Sequence, residues 1–123
     1  MGLDIDCTLV RGKEQVELYD CQTGPFIITY CREHGKYLGE DDEGCELYEL
    51  DPAAVRDLYD RCLNAFHYIE RASDYLPCCS TWKWKYDESF EYNVLKFIRS
   101  FRKEIRSFYD DGRDFKIIFR VGY

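Results

Sequence analysis

Residues 89–109 read SFEYNVLKFIRSFRKEIRSFY, and this stretch decides the fold class. At helical spacing, its large apolar residues fall on one stripe: Phe90, Val94, Phe97, Ile98, Phe101, Ile105 and Phe108. The opposite side carries the bases Lys96, Arg99, Arg102, Lys103 and Arg106. The pattern predicts a helix from Ser89 to Tyr109 whose apolar stripe forms a core that other elements must cover.

Length and composition indicate one folded domain over residues 1–123. A hydrophobic content of 46% and an aromatic content of 17% exclude a disordered chain. There is no long apolar span, and Asp4 and Asp6 interrupt the start where a signal peptide would be apolar. We therefore expect a soluble, cytoplasmic protein with no membrane partner.

Alternating apolar and polar residues predict several strands. The predicted strands are Leu3–Leu9 and Glu14–Tyr19 as a hairpin, then Cys45–Leu50, Thr81–Tyr86 and Phe115–Val121. The run Phe26–Cys31 is predicted as a strand, with a helix over residues 26–37 as the open alternative, because short apolar runs fit both.

A second helix is predicted to begin at Asp51-Pro52, a capping residue followed by proline at the first helical position. Its apolar face comprises Val55, Leu58, Tyr59, Cys62, Phe66 and Ile69, and the helix extends to about Ala72. The predicted fold is α+β, a mainly antiparallel sheet of about five strands with two long amphipathic helices packed on one face.

Charge is distributed unevenly along the chain. Residues 1–70 contain 16 acids and 6 bases, whereas residues 71–123 contain 8 acids and 11 bases. The most acidic segment is Glu40-Asp41-Asp42-Glu43, bracketed by glycines and followed by Glu46. We interpret these five residues as a contact surface for a basic partner, the alternative being a solvated, solubilising turn.

The run Asp4-Ile5-Asp6-Cys7-Thr8-Leu9 resembles the haloacid-dehalogenase signature, in which the first aspartate is a nucleophile and the second an acid/base. That chemistry needs the aspartates at the carboxyl end of a hydrophobic parallel strand. Only three residues precede Asp4 here. This position favours the alternative interpretation, in which Asp4 and Asp6 are solvent-facing acids of an amphipathic strand.

Seven cysteines, an odd number, favour reduced and unliganded thiols. Cys31 and His34 have metal-ligand spacing, and Cys45 or the Cys78-Cys79 pair could complete a zinc site, but no Cys-x-x-Cys occurs. A nucleophilic Cys78 or Cys79 with His34 or His67 is a weaker alternative. We predict no metal, no cofactor and no catalytic residues.

The basic side of the 89–109 helix, close in sequence to Trp82, Trp84 and Tyr86, could contact nucleic acid by charge and stacking. A pI near 4.8 argues against this and favours a solvated helix face.

The opening Met1-Gly2-Leu3-Asp4-Ile5 resembles the start of a family of small, largely uncharacterised phage and prophage proteins that begin Met-Gly-Leu-Asp-Met-Tyr-Leu. Leu76-Pro77, Tyr86-Asp87-Glu88, the helix after them and Phe115–Phe119 match later pieces of that family in the same order. Asp6 and Cys7 replace its Tyr-Leu. The resemblance implies a mobile-element accessory gene, whose small acidic products often bind and disable host proteins.

The sequence thus predicts a non-enzymatic binding protein that acts on a host protein with a basic surface, such as a nucleic-acid-binding defence component, in the manner of an anti-CRISPR. Two alternatives stay open: a small metal-binding or hydrolytic enzyme that uses the cysteines or Asp4 and Asp6, and a self-associating structural domain, for example a homodimer.

Overall fold

A computed structural model describes residues 4–11, 13–21, 25–77, 88–104 and 116–122. The strands are β1 (Asp4–Arg11), β2 (Glu14–Cys21), β3 (Lys36–Glu40), β4 (Glu46–Leu50) and β5 (Lys116–Gly122). The helices are α1 (Pro25–His34), α2 (Pro52–His67), α3 (Ala72–Tyr75) and α4 (Glu88–Phe101), with a 3-10 turn over Ile69–Arg71. The α+β prediction is confirmed, although this part of the chain holds four α-helices rather than two.

The five strands form one antiparallel sheet in the order β2-β1-β5-β4-β3. The predicted hairpin of β1 and β2, the short strand β4 and the closing strand β5 are all present. The predicted strand Thr81–Tyr86 lies outside the described residues. Strand β3 was not predicted from the sequence.

One face of the sheet is apolar because every second residue of its central strands is buried. This face carries Ile5, Cys7 and Leu9 of β1 and Ile117, Phe119 and Val121 of β5. The two strands pair in register, with Cys7 opposite Phe119. Buried residues of the helices join this face in one hydrophobic core, so the helices cover it. The residues between them, including Asp6, Thr8, Ile118 and Arg120, define what we call the second face.

Helix α4 supplies the aromatic centre of the core, as its periodicity predicts. Phe90, Phe97 and Phe101 are fully buried, and the rings of Phe97 and Phe101 stack with centroids 4.4 Å apart. The Phe90 ring meets Phe26 of α1 edge-on at 5.6 Å. The helix ends at Phe101, followed by a turn over residues 102–104, and the rest of the predicted 89–109 helix lies outside the described residues.

Helix α2 begins where the sequence predicts. The Asp51 carboxylate accepts a hydrogen bond from the Ala54 N–H at 2.7 Å, and Pro52 occupies the first turn. The helix ends at His67 rather than near Ala72, and its buried residues are Val55, Leu58, Cys62 and Ala65. Phe66 falls on the same side of the helix as Val55 by spacing, but it lies near the helix end and 41% of its surface is exposed.

The prediction of a strand over Phe26–Cys31 was wrong, and the helical alternative is the one that occurs, over Pro25–His34. Phe26, Ile27 and Ile28 are consecutive and all buried, a pattern that does not distinguish a helix packed on several sides from a buried strand. The Tyr30 hydroxyl lies 2.9 Å from the Ala54 carbonyl oxygen and thereby joins α1 to α2.

None of the helices in the described ranges is long and apolar enough to cross a membrane.

Gly35 ends α1 at a point where no side chain fits. Its N–H donates to the Cys31 carbonyl oxygen at 2.8 Å, and a Cβ built on Gly35 would lie 2.6 Å from that oxygen and 3.2 Å from Leu50 Cδ2. We expect Gly35→Ala to destabilise the fold by about 1–3 kcal/mol, because backbone must move to admit the methyl group. Chemical denaturation measures this, with the exposed Ser73→Ala as control; equal stability of the two variants would contradict the close approach.

Candidate interaction surface

The turn between β3 and β4 is an ordered turn held by hydrogen bonds of its backbone and of the Asp41 side chain. The Asp41 carboxylate accepts hydrogen bonds from the N–H groups of Glu43 at 3.0 Å and Cys45 at 2.8 Å. The Asp41 N–H donates to the Cys45 carbonyl at 2.9 Å, which closes the turn. Gly44 has a φ of +80°, a backbone conformation that favours glycine. The glycine and Asp41 therefore determine the shape of the turn.

Arg120 of β5 ties this turn to the second face of the sheet. Its guanidinium nitrogens lie 3.3 Å from Asp6 Oδ2, 3.6 Å from Asp41 Oδ2 and 3.6 Å from Glu43 Oε2. The attraction of Asp6, the largest contribution, raises the pKa of Arg120. Because these three carboxylates come from β1 and the turn, one cation joins two parts of the chain that are distant in sequence.

Cys45 lies beside this cluster. A Cβ on Gly122 would approach Cys45 Sγ to 3.2 Å, so the thiol packs closely on the end of β5. Desolvation, followed by the negative charge of Asp41, raises the pKa of Cys45. The thiol is consequently protonated at neutral pH, the reverse of what a nucleophilic cysteine needs.

The five acids predicted as a contact surface differ in their exposure to solvent and in their contacts. Glu40, Asp42 and Glu43 are exposed, and the Glu43 side chain retains 72% exposure despite its pairing with Arg120. The Asp41 side chain is 21% exposed, and its oxygens accept the hydrogen bonds that shape the turn. Asp41 therefore shapes the turn and contributes little to the exposed surface.

Glu46 belongs to the helix-covered side of the sheet, not to the Arg120 side. It is paired in the ladder with Val121, and its side chain is 19% exposed. Its carboxylate lies 3.6 Å from Arg32 of α1 and accepts a hydrogen bond from the Tyr48 hydroxyl at 2.8 Å. Glu46 thus contributes to the α1–β4 packing more than to a surface shared with Asp42 and Glu43.

Three of the cysteines that the structure describes are core residues. Cys7, Cys31 and Cys62 are fully buried, without disulfides. Burial raises the pKa of each of these thiols. Within the described ranges no three Cys, His, Asp or Glu side chains group as a metal site. Of the two residues with metal-ligand spacing, Cys31 is buried in the core whereas His34 is exposed to solvent. Cys78 and Cys79 lie outside the described residues.

Asp4 and Asp6 lie on an antiparallel strand. Asp4 is exposed at the start of β1, and Asp6 pairs with Arg120. The dehalogenase signature requires the end of a parallel strand, so the structure supports outward acids on an amphipathic strand.

Two features of the structure escaped sequence reasoning. Arg120 lies between the apolar residues Phe119 and Val121 of a predicted strand, and its place in that alternation was a usable signal. The second feature is Tyr30, whose hydroxyl lies 2.7 Å from Asp57 Oδ2, while the Arg61 guanidinium carbon lies 5.3 Å from the centre of its ring. Burial, reinforced by the hydrogen bond to Asp57, raises the pKa of Tyr30. This arrangement holds α1 against α2.

Comparison with known proteins returned no matching family model, no similar curated protein and no similar solved structure.

Proposed function

We propose that this chain is a non-enzymatic accessory protein of a phage or mobile element that binds a host protein with a basic surface in the host cytoplasm. The partner class that suits it best is a nucleic-acid-binding defence component, which the chain would inhibit in the manner of an anti-CRISPR. The observation that carries the proposal is the rigid turn between β3 and β4, which presents Glu40, Asp42 and Glu43 to solvent. The phage context rests on the resemblance of Met1–Ile5 and the later matching segments.

Rigidity matters because a preformed surface loses less conformational entropy on binding than a flexible loop. Asp41, Gly44 and Arg120 hold the turn in one shape and so set the backbone positions of Asp42 and Glu43, while Glu40 is set by its pairing with Glu46 at the end of β3. We call Glu40, Asp42 and Glu43 the acidic patch. Carboxylates so presented offer a basic protein the same charge that a nucleic-acid backbone offers, and such complementarity accelerates encounter and sets specificity.

The chemistry of the described thiols also supports binding over cysteine catalysis. Cys7, Cys31 and Cys62 are buried, and the pKa of each thiol is raised, as is that of Cys45. A catalytic cysteine needs the opposite, a lowered pKa and access to substrate. Asp6, the second aspartate of the dehalogenase-like run, is engaged by Arg120.

The test is capture from a lysate of host cells with immobilised wild type and with the variant Glu40→Lys/Asp42→Lys/Glu43→Lys. We expect the variant to retain about a tenth or less of the captured protein, and wild-type capture to fall as salt rises, because rim charges act on encounter and are screened. The captured protein should also be displaced by excess heparin, a soluble polyanion.

The matched control is Glu14→Lys/Asp60→Lys/Glu70→Lys, which changes net charge equally at exposed sites elsewhere. It should capture nearly as much as wild type. Equal loss in both triple variants would show that net charge, not the acidic patch, is responsible, and undiminished capture by the acidic-patch variant would exclude this turn as the interface.

A further inference from the structure

The solvent side of α4 carries a second, oppositely charged surface. At 100° per residue, Tyr92, Lys96 and Arg99 fall within a narrow sector that lies opposite the buried Phe90, Phe97 and Phe101. Lys103, in the turn after the helix, extends the same line and is exposed. We call Tyr92, Lys96, Arg99 and Lys103 the basic stripe.

Tyr92 is the unusual member of this stripe. Its exposed fraction of 66% is the highest among the large hydrophobic residues that the structure describes. Together with Leu95, Lys96, Arg99 and Ser100 it lines a shallow depression along the helix. An aromatic ring, two cations and a hydroxyl thus border one concave surface.

Bases outnumber acids along the stripe although the chain is acidic. Residues 92–103 contain four bases and no acid, and Glu88, Glu91 and Glu104 flank this run. Glu91 is exposed, but it lies about 100° around the helix from Tyr92. Charges separated by more than about 8–10 Å are largely screened at physiological salt, so the stripe acts locally as a cationic surface despite the net charge of −7.

We propose that the basic stripe binds single-stranded nucleic acid, with one base stacked on Tyr92 and the backbone phosphates following Lys96, Arg99 and Lys103. Single-stranded nucleic acid is the occupant that uses every feature of the surface. Sequence-tolerant sites combine a cationic track with exposed aromatic rings, and base stacking on such a ring is a major part of their affinity. An acidic protein would match the cations, whereas a single strand offers phosphates to the cations and also a base to the exposed Tyr92 ring.

This inference does not depend on the proposed function, because it concerns another element and a partner of opposite charge. The acidic patch is on the β3–β4 turn, whereas the basic stripe is on the solvent side of α4. A chain with both surfaces could contact a nucleic-acid-binding protein and the strand that this protein carries.

The experiment is fluorescence anisotropy with a labelled oligothymidylate of about 15 nucleotides, long enough for one such site, at about 50 and 200 mM salt. Wild type should bind, and more weakly at the higher salt. Lys96→Glu/Arg99→Glu should weaken binding at least tenfold, and Tyr92→Ala about fivefold or more, whereas Tyr92→Phe should bind as wild type does. The matched control, Lys13→Glu/Lys36→Glu, carries the same charge change at exposed sites on the sheet and should change binding less than about threefold.

Circular dichroism confirms that each variant is folded. No binding by wild type, equal loss in both double variants, or binding unaffected by Tyr92→Ala would each overturn the proposal. Analytical sedimentation tests whether the stripe binds a second copy of the chain instead. That alternative predicts self-association that weakens with salt and is abolished by Lys96→Glu/Arg99→Glu, together with no oligonucleotide binding.

Discussion

Replacing Phe101 by alanine should lower the free energy of unfolding by about 3–5 kcal/mol. Phe101 is fully buried, and its ring stacks on Phe97 at a centroid distance of 4.4 Å. Truncation to alanine loses the free energy gained by burying the ring, and it leaves a cavity in the hydrophobic core. Domains of this size are stable by only about 5–15 kcal/mol, so the variant should be marginally folded at best. Urea or thermal denaturation followed by circular dichroism measures the effect.

Tyr92→Ala is the matched control, since it removes an aromatic ring from the solvent side of the same helix. Its stability should lie within about 0.5 kcal/mol of wild type, as for most surface substitutions. If the two variants melt within a degree or two of each other, the buried stripe of α4 is not the centre of the core.

The second large effect concerns thiol reactivity. In the native protein, Cys7, Cys31 and Cys62 should react with a thiol reagent at least about 1,000-fold more slowly than in the unfolded chain, because each is fully buried and must await an opening that costs several kcal/mol. Labelling at about pH 9 should not abolish this protection, since burial raises the pKa of all three thiols and keeps them protonated above the usual range. Cys45, partly exposed, should react faster than these three.

Peptide mass mapping after timed labelling reads out each site, and denaturant provides the reference rate. In denaturant all seven cysteines should titrate as free thiols, with a mass that shows no disulfide. Two or more missing thiols would contradict a reduced, unliganded chain. Rapid native labelling of Cys62 would contradict the packing of α2.

Elements with one sustained periodicity are predicted correctly from the sequence. The Phe90–Phe101 spacing and the alternation of Ile117, Phe119 and Val121 each match a single kind of element, because a helix and a strand repeat their buried positions differently. The strand predicted over Phe26–Cys31 was wrong because several consecutive residues are buried there and neither period is visible. The short strand β3 was missed for a related reason: Tyr37 and Leu38 are both exposed at the sheet edge, so no alternation marks it.

The candidate surface shows the same division. The acidic composition of residues 40–43 was evident, but which acids face solvent was not. Asp41 is withdrawn from that surface by its hydrogen bonds within the turn and by Arg120 of β5, and Glu46 by Arg32 of α1. Composition does not reveal such pairings because they depend on strand order and register.

By itself, the sequence determined the α+β class, the start of α2 at Asp51-Pro52, the apolar side of α4 and the concentration of acids in the first part of the chain. These follow from local spacing, capping and charge, which act over a few residues. Only the tertiary structure decided the strand order β2-β1-β5-β4-β3, the helical state of residues 25–34 and the meeting of Asp6, Asp41 and Glu43 at Arg120. Those features arise when β5 pairs between β1 and β4, because burial of the shared apolar face, not local preference, selects that arrangement.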